Sequence, residues 1–98
     1  MSMDGLLRDV SDAIDLPARV RESLAASFDD ARAAVRAGDA EVALEHVEAA
    51  SRVLGHKVPP SPLKEKLRHG VAAVERTAAA EPLVASEYLR LMSRLVRP

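Results

Sequence analysis

The stretch VRAGDAEVALEHVEAASRVLG, residues 35–55, decides the fold. A Gly-Asp pair, Gly38 and Asp39, stands between two runs of apolar residues. Upstream, Val20, Leu24, Phe28, Ala31 and Val35 recur at intervals of four, four, three and four. Downstream, Ala43, Leu44, Val47, Ala50 and Leu54 continue the same rhythm. Intervals of three and four place side chains on one face of an α-helix, whereas a strand would alternate at every second residue. Glycine reaches the left-handed conformation that ends a helix, and an aspartate just after it can cap the next one. The stretch therefore predicts two helices, about Pro17–Ala37 and Asp39–Gly55, folded back on one another through a tight corner.

The same reading extends outward. GHKVPPSP interrupts the pattern at residues 55–62, because prolines cannot continue a helix. Ser61-Pro62 then reads as a cap followed by a first-turn proline. A further helix is predicted to about Ala79, with Leu63, Leu67, Val71, Val74 and Ala78 inward. Glu81-Pro82 marks the next corner, or a kink, since the residue before a proline is pushed out of the helical region. The last helix carries Val84, Tyr88, Leu91 and Leu95 as its predicted core stripe, widened by Leu83, Met92 and Val96. At the other end, Leu6, Leu7, Val10 and Ile14 predict a shorter helix over Met3–Ile14. The expectation is an all-α fold: one helical domain over residues 1–98, a small antiparallel bundle of four long helices plus a short N-terminal helix, with a Pro-rich connection at 55–62. Alanines at 31, 43, 50 and 78 allow close helix approach. The last helix, and the one after Asp39, offer more apolar positions than one narrow stripe needs, and this surplus points to a second copy.

Composition narrows the chemistry. The chain has no cysteine, which removes disulfides, thiolate catalysis and Cys-type zinc sites. Phe28 and Tyr88 are its only aromatics, too few for a platform on which bases stack. It has no run of about 18 apolar residues that would cross a membrane. Its start, MSMDGLLRDVSD, is acidic rather than the basic opening of a signal peptide, so the expected location is the cytoplasm. Charge is divided along the chain. Residues 1–50 hold 11 acidic and 5 basic side chains, a net of −6, and residues 51–98 hold 4 and 9, a net of +5. Halves of opposite sign attract one another within or between chains, and the overall charge of −1 gives little long-range pull on a polyanion.

GDAEVALEHVEAA resembles the turn and second helix of a tetratricopeptide unit. Gly38, Ala43, Leu44, Val47 and Ala50 fall on the positions where that family places its closing glycine, its small residues and its large apolar ones. The resemblance is confined to residues 24–55. Of Ser27, Asp30 and Ala31, which fall on the first helix's expected positions, only Ala31 suits, and no second repeat follows. What the resemblance implies is a protein-binding helical hairpin cornered at Gly38 and Asp39. A similar helix, Gly-Asp, helix pattern occurs in HEPN-type nucleases, but their catalytic Arg, separated from the His by four to six intervening residues, is not found ahead of His46, His56 or His69.

Catalytic constellations are missing from the pattern. Glu65 and His69 share a helix face at i, i+4, yet two ligands do not make a metal site, and the plainer reading is a surface contact. Glu41, Glu45 and Glu48 line one acidic face without the Glu-x-x-His spacing of di-iron bundles. Ser23, Ser27, Ser51, Ser86 and Ser93 have no base placed by any motif. Pro59-Pro60-Ser61-Pro62-Leu63-Lys64 fits a proline-x-x-proline-x-basic ligand, although helix punctuation accounts for each proline. No cofactor is expected. Arg90, Arg94 and Arg97 fall at i, i+4, i+7 and form a basic stripe, with Arg68 and Arg76 as candidates to join it. That stripe suits phosphate or an acidic partner, or simply a helix C-terminus that favours cations. The expected function is a non-catalytic helical protein-interaction module that self-associates, with a homodimer or another protein as partner. The alternatives are a nucleic-acid-associated regulator using the basic C-terminal half, and an accessory subunit or small helical enzyme.

Overall fold

The structure, a computed structural model, describes residues 16–97. Among these residues there are four α-helices and no strand: α1 Ala18–Arg36, α2 Ala40–Lys57, α3 Pro62–Thr77 and α4 Pro82–Val96. The short helix expected over Met3–Ile14 lies outside the described residues.

Each corner is built from the residues that announce it. Gly38 has φ +81, the left-handed conformation. Its N–H donates to the Val35 carbonyl at 3.0 Å, and the Asp39 N–H donates to the Ala34 carbonyl at 2.8 Å. These paired bonds are those of a Schellman motif, which satisfies carbonyls that the ended helix would leave bare. Asp39 then turns to the next helix, its carboxylate accepting from the Val42 N–H at 3.2 Å. One residue thus closes α1 and opens α2. At the next connection Ser61 Oγ accepts from the Lys64 N–H at 3.1 Å, with Pro62 in the first turn. Pro82 likewise opens α4, although Glu81 makes no side-chain cap. Pro17 sits one place before the first turn of α1, at its N-cap. Gly55 does not stop α2, which runs two residues further to Lys57 before Val58 turns extended ahead of Pro59.

The core is continuous across all four helices. Leu24, Phe28, Ala31 and Val35 of α1 meet Ala43, Val47, Ala50 and Leu54 of α2. Leu63, Leu67, Val71 and Val74 of α3 and Ala85, Leu89, Met92 and Val96 of α4 complete it. Val20 and Leu44, expected in the core, are only partly buried against it. Short connections make successive helices antiparallel, and α1 packs against both α2 and α4. The contact of α2 with α3 is the slightest of the four sides, bordered by a shallow cleft between Ser51 and Leu54 on one and Arg68, Val71 and Glu75 on the other.

Helix α4 corrects the sequence reading. Its buried face is Ala85, Ser86, Leu89, Met92, Ser93 and Val96. The row expected inward, Val84, Tyr88, Leu91 and Leu95, is exposed, and only the flanking Met92 and Val96 of that expectation are buried. The two rows have the same 4-3-4 spacing and differ by one residue, about 100° around the helix. The smaller row faces inward because α4 is wedged between α1 and α3. Ser86 and Ser93 are small enough to sit buried on it. Against α3 there is no side chain at Gly70, where a Cβ would come within 2.4 Å of Met92 Sδ.

Candidate interaction surface

Helix α4 is amphipathic in three directions. One third of its circumference enters the core, one third is charged, and one third is apolar and uncovered. The uncovered third consists of Val84, Tyr88, Leu91 and Leu95, with Leu83 at its rim. Leu83 is 82% exposed and Leu91 is 48% exposed, so neither is covered by the fold. Val42 at the start of α2 is the one other large apolar side chain exposed among the described residues. A surplus was expected on both α2 and α4; among the described residues α4 exposes a row of large apolar side chains and α2 only Val42.

Two shallow depressions extend this face. One is lined by Leu83, Val84, Glu87, Tyr88 and Leu91 and is almost wholly apolar. The other runs along the α3–α4 seam, where Tyr88, Leu91, Met92 and Leu95 face Gly70 and Ala73 of α3. Its outer bank carries Lys66, His69 and Arg76. The uncovered stripe is therefore bordered by positive charge on the α3 side.

The charged third of α4 faces α1. Arg90 Nε donates to Glu87 Oε1 at 3.1 Å. That hydrogen bond holds the Glu87 carboxyl below the usual carboxylate range and pushes the Arg90 guanidinium higher still. Arg97 pairs with Asp29 of α1, and its Nε donates to Ser93 Oγ at 3.0 Å. From the other side, Arg32 Nε donates to Ser86 Oγ at 3.2 Å. The two serines that carried no motif in the sequence thus accept from arginines across or along the α1–α4 seam. A cleft lined by Asp29, Arg32, Arg36 and Arg97 lies on this side.

The five arginines singled out in the sequence do not form one patch. Arg90 and Arg97 are engaged with carboxylates, and Arg94 has no ion pair among the described residues. Arg76 lies across the apolar stripe, on the α3 bank. Arg68 faces the other way, toward α2, with its Nη2 3.8 Å from where a Gly55 Cβ would stand. Gly38 and Asp39 are exposed and engaged in the corner itself. Among the described residues no three His, Asp or Glu side chains cluster as metal ligands would, and no helix is long and apolar enough to cross a membrane.

The α4 face was missed because periodicity reports that an apolar row exists and not which way it points. A usable signal was present: two apolar rows on one helix, one of them beginning at an alanine and carrying serines at its edge.

No curated protein and no solved structure matches the chain. No tetratricopeptide family is indicated for the chain, and the α1–α2 corner is a general helix-ending motif. Residues 10–98, which take in all four helices, match the family described as Domain of unknown function (DUF8101), and the chain belongs to that family.

Proposed function

We propose that this protein is a non-catalytic helical interaction module that works by docking protein, a second copy of itself included, onto the outward face of α4. The observation that carries this reading is the uncovered row Val84, Tyr88, Leu91 and Leu95 on a helix whose opposite row already fills the core. Burying large apolar side chains stabilises by roughly 25 cal/mol for each Å² removed from water, and a fold that leaves such a row wet forgoes that gain unless a partner collects it. The row is rigid, because α4 is held by α1 and α3, so little ordering is lost on docking.

Size-exclusion chromatography with light scattering tests this. The full chain associates with itself at micromolar concentration, and replacing Leu91 by Ser abolishes association while leaving the helical circular dichroism unchanged. A strictly monomeric chain that recovers no partner protein, with or without the replacement, refutes it.

A second reading, nucleic-acid association, draws on the cleft where Arg32, Arg36 and Arg97 converge. It ranks lower because Asp29 lines the same cleft and pairs with Arg97. It requires retention on DNA or RNA at low salt, falling steeply as salt rises.

A further inference from the structure

We infer that the cleft on the α1–α4 seam is a binding site for a phosphomonoester dianion. The inference is independent of the interaction reading above, because the uncovered apolar row lies on the other side of α4. Asp29, Arg32, Ala33, Arg36 and Ala37 of α1, with Arg97 beyond the end of α4, line an open cleft of about 700 Å³. A smaller depression lined by Arg21, Glu22, Ala25 and Ala26 continues it and shares Asp29 and Arg97. That is room for a phosphate together with the group that carries it. Four guanidinia, from Arg21, Arg32, Arg36 and Arg97, face two carboxylates there, Asp29 and Glu22. Glu87, the one carboxylate within α4, is taken by Arg90.

The donors are held rather than merely gathered. Ser86 and Ser93 are buried on the inner row of α4. Ser86 Oγ accepts from Arg32 Nε and Ser93 Oγ from Arg97 Nε. A guanidinium tied at Nε has its plane fixed and keeps both Nη groups for other acceptors. Among the described residues only Arg97 Nη2 has found one, the Asp29 carboxylate. The Nη groups of Arg32, and Arg36 altogether, make no side-chain hydrogen bond there. Arg21 Nε is buried and unpartnered among the described residues, and a buried donor calls for an acceptor.

The free donors select the ligand. One guanidinium fork saturates a carboxylate, whereas a phosphate dianion offers three terminal oxygens and takes several forks at once. Asp29 is the internal competitor that an entering phosphate displaces from Arg97. The Ala33 and Ala34 carbonyls at the end of α1 would repel an anion, but they already accept from the Ala37 and Asp39 N–H groups at 3.0 and 2.8 Å.

Titration of the full chain with inorganic phosphate at constant ionic strength, chloride serving as control, tests this through the arginine Nε–H resonances. Those of Arg32 and Arg97 should move saturably, with a Kd on the order of 1 mM. Arg32→Lys keeps the charge but loses the fork and its anchor on Ser86, and should weaken binding about tenfold. Asp29→Asn removes the competitor and should tighten binding about threefold. Leu91→Ser should leave it unchanged, so loss of the interaction reading and loss of this one are separate results. Ribose 5-phosphate and a peptide bearing one phosphoserine distinguish a small phosphate ester from a phosphorylated partner, and tighter binding of either than of inorganic phosphate supports the assignment. Movement that rises linearly with phosphate, is matched by chloride, or persists undiminished in Arg32→Lys means an adventitious ion only and overturns the inference. Weaker binding by Asp29→Asn overturns it too, because Asp29 would then be helping to hold the anion. An RNA or DNA oligonucleotide that binds with steep salt dependence, where inorganic phosphate does not bind, overturns it in favour of the nucleic-acid reading.

Discussion

Gly38 and Asp39 hold one corner by different physics. Gly38 has open space around it, and a Cβ there would touch nothing within 4 Å. Replacing it by Ala therefore costs backbone strain alone, about 1–2 kcal/mol for an L-residue held at positive φ. Gly38→Asn should cost less, since Asn tolerates that region. Asp39→Ala removes the acceptor for the Val42 N–H and should cost about 1 kcal/mol. Urea denaturation separates these, with the midpoint falling and the slope unchanged. Glu87 gives a pH prediction at the same scale. Its folded pKa is lowered, first by the hydrogen bond from Arg90, so the pair's contribution is present above the unfolded pKa and is lost as pH falls through the folded one. The carboxyl carbon resonance of Glu87 should titrate below those of ordinary exposed glutamates, and Arg90→Gln should return it to them.

At the scale of the helix, α3 and α4 meet where Gly70 makes room for Met92. A branched side chain at 70 cannot be accommodated by moving the sulfur alone, because Met92 Cγ would stand at 2.9 Å from the new Cβ. Gly70→Val is expected to destabilise by about 2 kcal/mol, the ordinary cost of overpacking. Met92→Ala, destabilising by itself, should recover part of that loss when combined with it, so the two changes are not additive. Thermal unfolding of the four members of that cycle decides the point. On the opposite row of α4, Leu91→Ser and Leu83→Ser should leave the stability of the single chain almost unchanged, because both side chains are already largely in water.

At the scale of the whole molecule, association and stability are linked. If two folded copies bind and unfolded ones do not, the unfolding midpoint rises with protein concentration by mass action. The full chain should show that rise, and the Leu91→Ser variant should not. A midpoint independent of concentration from micromolar to millimolar contradicts the dimer. The opposed charge of the two halves has a local counterpart in the ion pair from Asp29 on α1 to Arg97 on α4. That pair is exposed and worth at most about 1 kcal/mol, so Asp29→Asn should change the midpoint little.

The amino-acid order by itself determined the helices, their corners and most of the core. Periodicity placed Leu24, Phe28, Val47, Leu54, Leu67 and Val74 in the interior, and glycine, serine, aspartate and proline marked the connections, because both signals act within a few residues along the chain. Boundaries shifted by a turn or less, as where α2 passes Gly55 and ends at Lys57. Only the tertiary structure decided which row of α4 faces inward, that Ser86 and Ser93 accept from arginines on the α1 side, and that Arg68 and Arg76 lie apart from Arg90, Arg94 and Arg97. The physical reason is that a helix carrying two equivalent apolar rows has no local preference between them. The choice is made by the space that α1 and α3 leave, which takes the row where Ala85, Ser86 and Ser93 stand among Leu89, Met92 and Val96 and turns Val84, Tyr88, Leu91 and Leu95 outward.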